Sequence, residues 1–303
     1  MGGITEIRGD IVYAVMGATG QVGAVVAKSL ISASQQVRVI MRNPEKAAGW
    51  KVLDAEVALA DYGNAEQLAA AFAGAEGVFI MIPPNAAPSP DYSESRAYIM
   101  AIRKALESSR PAKIVYLSSI GAQRKSGAGL ISALHLLEEA IDVLPTRTAA
   151  LRAAYFMENY ADDVAKARKT GKLQSYLQPL EHKYPMVATY DVGRAGAKLL
   201  VKPWEGHRHL EISGPRKYSP LDVTEAFSSA LKKKIEPLVV PRDAWIKSFV
   251  EKGIPANKTA GLVEMLEGFN SKWIDFGVAG AEALKGSVEL ETVIDNLVKT
   301  IGA

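Results

Sequence analysis

The stretch Val12–Gly23, VYAVMGATGQVG, decides how the rest of the chain is read. An unbroken apolar run is followed by Gly17, Gly20 and Gly23 at three-residue steps. IVYAV (Ile11–Val15) reads as a strand, and GQVGAVVAKSLISA (Gly20–Ala33) as a helix that begins inside the glycine motif. Strand, glycine turn and helix in that order are the context of a dinucleotide-binding fingerprint. Gly17 would permit the turn, Gly20 the approach of backbone to a diphosphate, and Gly23 the close seating of helix on strand. Thr19, Gln21 and Val22 complete the candidate cradle. The helix N-terminus offers free N–H groups and the positive end of a dipole to an anion. The plainer alternative is a structural turn that holds no cofactor.

Outward from this turn the same rhythm repeats. Strands are expected at Val37–Met41, Ala55–Ala60, Gly77–Ile82 and Lys113–Ser119, with helices at Asn64–Gly74 and near Tyr92–Ser108. The strands are apolar almost throughout and do not alternate, as parallel strands covered on both faces require. Further on, Leu130–Asp142 reads as a helix and Thr146–Ala154 as a strand. GAQRKSGAG (Gly121–Gly129) reads as a mobile loop, with Lys125–Gly129 a candidate lid. Beyond Tyr155 the alternation breaks down, and the last fifty residues look mainly helical. The expected fold class is α/β, a doubly wound parallel-sheet Rossmann fold with a smaller, mainly helical C-terminal substrate-binding part. The expected division is a nucleotide-binding domain over 1–155 and a smaller region over 156–303, with elements around 186–215 returning to the Rossmann sheet.

The tip of the second strand bears on which nucleotide would fit. An NAD-binding chain places a carboxylate there, about 20 residues past the glycines, to accept from the ribose hydroxyls. Here the residues are Met41, Arg42 and Asn43, so a guanidinium stands where the carboxylate would. Arg42 could fork onto a 2′-phosphate, with Lys46 as reinforcement, which favours NADP(H) over NAD(H). A solvent-exposed strand-end arginine is the alternative.

Bulk composition narrows the class. The chain has 303 residues, 48% of them apolar, with a net charge of only +3. That suits a soluble globular protein of one large domain, or one domain plus an appendage, and argues against a nucleic-acid-binding face. There is no cysteine, which excludes disulfides, thiolate nucleophiles and cysteine-based zinc sites. The polar opening MGGITEIRGD does not read as a signal peptide, and no apolar run approaches the ~20 residues of a membrane span. A cytoplasmic location and no membrane association are expected.

Five motifs together resemble the NmrA-like family of atypical short-chain dehydrogenase/reductases: GATGQVG, RNPEK at Arg42–Lys46, LADYGN at Leu59–Asn64, SSIGA at Ser118–Ala122, and LRAAYFMENY at Leu151–Tyr160. The resemblance covers about residues 10–215 and is loose beyond. It implies a Rossmann fold that binds NADP(H), and either reduction of quinones or redox sensing. It implies Asp61 and Tyr62 beside the adenine, Ile82, Pro83 and Pro84 on the adenosine side, and Ser118 and Ser119 near the nicotinamide ribose. It further implies that Ala153 to Phe156, including Ala154, close over the nicotinamide. Members often carry proline where this chain has Ala153.

Catalysis is where the pattern departs. Short-chain dehydrogenases usually pair a tyrosine with a lysine four residues later, and none of the eleven tyrosines here has that partner. His135 and Glu139 stand at the corresponding helix positions. An ordinary ketone needs an acid beside the alkoxide it forms, whereas a quinone yields a phenolate-like anion that water can protonate. The pattern therefore points to hydride transfer from NADPH to a quinone or similar electron-poor carbonyl or enone. It equally suits a non-catalytic NADP(H) sensor acting through protein contacts. His135, as hydrogen-bond donor or slot-filling helix residue, and Tyr155, as pocket wall or core aromatic, are the candidate catalytic groups. Asn159 reads as a helix-start residue. His207 and His209 share one strand face but lack a third ligand, so no metal is expected. The partner expected is a small molecule. A homodimer and a regulatory protein partner are compatible with the sequence.

Overall fold

The computed structural model describes residues 11–301; the polar opening segment read for a targeting signal lies outside the described residues. Eight parallel strands form one sheet in the order β13-β10-β6-β5-β4-β1-β2-β3. They are β1 (Val12–Met16), β2 (Gln36–Met41), β3 (Glu56–Leu59), β4 (Ala75–Ile80), β5 (Lys113–Ser119), β6 (Arg147–Ala153), β10 (His207–Ser213) and β13 (Glu282–Lys285). The order reverses between β1 and β4, and that crevice is where open α/β sheets receive ligands.

The unbroken apolar strands have a direct physical cause. Tyr13 and Val15 of β1 enter one core, while Ala14 and Met16 enter another on the opposite face. β5 divides likewise, with Val115 and Leu117 on one side and Ile114 and Tyr116 on the other. The first core is closed by α1 (Gln21–Ser32), which buries Val22, Val26, Ala27 and Leu30 along one face, and by α7 (Thr189–Val201). The opposite core is closed by α3 (Ala65–Phe72), α4 (Ser93–Ser109) and α5 (Ser132–Ile141). α2 is a single turn at Ala48–Lys51.

A third apolar cluster lies beyond β6. It is built from α6 (Val164–Thr170), α8 (Pro220–Leu231), α9 (Trp245–Glu251), α10 (Ala260–Asn270) and α11 (Leu290–Thr300) around Phe227, Trp245, Phe249 and Phe269. Two small sheets brace it: β7 (Tyr155–Phe156), β9 (Tyr184–Val187) and β11 (Lys217–Tyr218) in one, β8 (Lys172–Ser175) and β12 (Glu236–Val239) in the other. The mainly helical reading of the last fifty residues needs correction at β13. Its sequence, EALK, has helix-forming composition, and it becomes a strand only because β10 offers an open parallel edge.

The loop expected to be a mobile lid is instead strapped down. Arg124 stacks over the Trp273 ring at 3.9 Å and donates to the Trp273 carbonyl, while the Trp273 indole donates to Ser126. Gln123 donates to the Asp275 carbonyl, and the Gly129 amide to Glu264. Glycine-rich composition signals backbone freedom, but it cannot reveal a clamp contributed from more than a hundred residues away.

Candidate functional site

The glycine turn has the shape its sequence implies. Gly17 sits at φ +71°, a conformation other L-residues rarely adopt. A Cβ at Gly23 would lie 2.3 Å from the Gly17 carbonyl oxygen and 2.7 Å from that of Met16. The helix thus seats directly on the turn. Gly20 caps α1 with backbone alone, and no acidic residue occupies the first turn. The terminal N–H groups are left without a side-chain acceptor, the arrangement that attracts an anion. Thr19, Gly20 and Gln21 are exposed, while Val22 turns into the core.

At the tip of β2, Arg42 is exposed and its guanidinium lies over the Tyr62 ring, 5.5 Å from the centroid. Asn43 caps the short turn that carries Lys46 to the surface beside it. Asp61 is exposed, and its carboxylate accepts from the Gly63 amide. Tyr62, by contrast, is only 6% exposed. Its hydroxyl accepts from the Gly17 amide and donates to the Ile40 carbonyl, both at 3.1 Å.

Beside the turn opens a cavity of about 470 Å³ between the carboxyl ends of β4, β5 and β6 and the helical C-terminal part. Ile82, Pro83, Pro84, Ser118, Ser119, Ala154, Tyr155 and Phe156 all line it, together with Asn159. The far wall is Leu130, Met265 and Phe269, which the sequence reading missed. Met265 and Phe269 carry no local signal, because only the docking of α10 brings them here. Met81, also missed, links the two regions: it lines the cavity and its thioether presses against Gly17.

The polar groups facing this apolar space are few and constrained. Tyr155 packs edge-on to Phe269, and burial pushes its pKa up to about 12. Its hydroxyl is therefore a neutral hydrogen-bond donor at physiological pH and a poor acid. Ser118 donates to Glu138 at 2.6 Å, and Glu138 is gripped by Arg152 through two bonds of 2.9 and 2.7 Å. Ser119 donates to the Ile120 carbonyl. With both protons donated in this arrangement, the two hydroxyl oxygens remain available as acceptors.

His135 is not among the residues that line the cavity. Its Nδ1 donates to the Ala122 carbonyl at 2.8 Å, and its Nε2 lies 3.5 Å from Glu139. It braces the start of the strapped loop. His207 bonds to Thr148 and His209 to Asp142, and among the described residues no cluster of three or more metal-ligating side chains occurs.

Asp142 gives this region a pH signature. Burial works to raise its pKa, but hydrogen bonds from His209 and Tyr116 outweigh it and hold the carboxyl below the ordinary 3.8. The folded pKa lies below the unfolded one, so the stabilisation is full above that ordinary value and lost as pH falls through the folded value. Thermal melts below about pH 4 should fall less steeply in Asp142→Asn than in the wild type. Identical acid slopes would contradict the assignment.

Fold and site together define a doubly wound α/β protein with a dinucleotide-type glycine turn opening onto an apolar cavity. The chain belongs to the NmrA-like family, whose model matches residues 11–298. The NAD(P)H azoreductase of Xenophilus azovorans is 22% identical over 251 residues, 83% of this chain and 85% of that protein. The triphenylmethane reductase of Citrobacter sp. superposes with a TM-score of 0.76 at 19% identity, over 95% of this chain and 99% of that one. An NADPH-dependent quinone oxidoreductase from Escherichia coli, solved with NADPH, gives 0.75 at 20% identity, over 96% and 98%. At such identities the superpositions speak to fold. Among the described residues no helix is long and apolar enough to cross a membrane.

Proposed function

We propose that the protein is an NADPH-dependent reductase that delivers hydride to a flat, electron-poor acceptor, a quinone or a related conjugated carbonyl. The observation that carries the reading is the grouping of turn, cavity and cation about Gly17. Met81 lines the apolar cavity and packs against Gly17, just before the uncapped start of α1. Tyr62, which accepts from the Gly17 amide, carries the exposed Arg42 guanidinium 5.5 Å from its ring centroid. The residues fit the cofactor: the start of α1 has no side-chain cap, no carboxylate stands at its first turn, and an exposed guanidinium is available for a third phosphate. Bound there, NADPH would supply the hydride.

The chain's own contribution is placement and exclusion of water. Ile82, Pro83, Phe156 and Phe269 wall the cavity, and Ser118 and Ser119, whose protons go to Glu138 and to the Ile120 carbonyl, would offer their oxygens to the cofactor as acceptors. Tyr155 offers a neutral hydroxyl, and among the described residues no Lys, His, Asp or Glu lines the space to tune it or relay a proton, which favours acceptors whose reduced anion is resonance-stabilised. Positioning of this kind supplies much of the rate in an intramolecular-like hydride transfer.

The similarity to an NAD(P)H azoreductase and to NADPH-linked reductases supports the same chemistry. Steady-state oxidation of NADPH against a panel of quinones and azo dyes tests it. Turnover with several acceptors is expected; tight NADPH binding with no turnover would replace the enzyme by a cofactor sensor. Arg42→Ala should weaken NADPH by about 1.5–3 kcal/mol, the worth of a charge-assisted contact, and leave NADH nearly unchanged. Equal losses for both would remove Arg42 from phosphate reading.

A further inference from the structure

The 2′-phosphate reader and the diphosphate turn are separate in sequence, yet one buried side chain touches both. Tyr62 receives the Gly17 amide on its hydroxyl, passes its own proton to the Ile40 carbonyl, and presents its ring beneath the Arg42 guanidinium. Its own placement is rigid. The Asp61 amide is held by Gln67, the Gly63 amide by Asp61, and the following helix begins at the Asn64 cap. The Ala60 amide extends the strand by donating to Met41, so the residues on either side of Tyr62 are fixed to β2 and α3.

We infer that Tyr62 is a positioning residue that couples the two phosphate sites: its hydroxyl sets the glycine turn and its ring holds Arg42 over the 2′-phosphate. The inference rests on the NADP(H)-binding reading above. Two functions on one side chain make a separable prediction. Losing the hydroxyl should loosen the turn, which serves every nicotinamide nucleotide alike. Losing the ring as well should release Arg42, which matters only when a 2′-phosphate is present. Burial of the phenol, which raises its pKa, keeps the hydroxyl a neutral donor throughout.

The test compares wild type, Tyr62→Phe and Tyr62→Leu by fluorescence titration with NADPH and with NADH. Melting without nucleotide checks that each variant folds, and Tyr62→Met replaces the leucine variant if it does not. Tyr62→Phe should weaken both nucleotides by roughly three- to tenfold, one neutral hydrogen bond, with the NADPH-to-NADH preference unchanged. Its Gly17 amide should also exchange with solvent faster. Tyr62→Leu should show the same loss and, in addition, a several-fold drop in preference. A purely structural role would move stability without moving the preference. Wild-type affinities in Tyr62→Phe, or an unchanged preference in the apolar variant, would overturn the inference alone. Failure of the wild type to bind either nucleotide would overturn the underlying reading as well.

Discussion

Glu138→Gln should lower the free energy of unfolding by about 3–5 kcal/mol, the cost of leaving one member of a buried ion pair alone. Glu138 and Arg152 are 4% and 5% exposed and joined by two hydrogen bonds, so neither can turn to water for relief. The next carboxylate acting on Arg152 is Glu211, which is occupied by the Gly277 and Val278 amides. It is not free to take over. The double variant Glu138→Leu/Arg152→Met should recover most of the loss, because an apolar pair of similar volume removes both buried charges together. The recovery should be incomplete, since Ser118 loses its acceptor at a cost of about 1–3 kcal/mol. Urea titration measures all three proteins. A loss under about 1 kcal/mol in the single variant would show that solvent reaches the pair.

Gly23→Val should abolish nucleotide binding. The nearest atoms to the added Cβ are backbone: the Gly17 carbonyl oxygen at 2.3 Å, its carbon at 2.5 Å and the Met16 oxygen at 2.7 Å. No flexible side chain can yield there, so α1 or the turn must move, at roughly 3 kcal/mol or more. Either movement takes the helix N-terminus away from the phosphate position. Gly49→Ala is the control, because a Cβ there meets nothing within 4 Å. It should leave affinity intact and stability unchanged or higher by about 0.5–1 kcal/mol. Equal nucleotide affinity in Gly23→Val and wild type would place the cofactor elsewhere.

Much of the fold was legible because parallel strands between two cores must be largely apolar on both faces, and β1, β4 and β5 are written that way. The glycine spacing located the turn for a similar reason: both the positive φ of Gly17 and the contact at Gly23 exclude a side chain. What stayed hidden depends on distant partners. EALK becomes β13 only beside β10, Met265 and Phe269 reach the cavity only when α10 docks, and the 121–129 loop is fixed only by Trp273. LADYGN marks Tyr62 by position, but the motif does not reveal its hydroxyl contacts to Gly17 and Ile40. His135 was singled out by helix position, but sequence does not reveal that its ring turns to the Ala122 carbonyl.

Calorimetric titration of the wild-type protein with NADPH and, separately, with NADH addresses the cofactor cradle most directly. Saturable binding of both is expected, with NADPH tighter by roughly ten- to hundredfold, the equivalent of one guanidinium–phosphate contact. No saturable heat with either nucleotide, or equal affinity for the two, would contradict it.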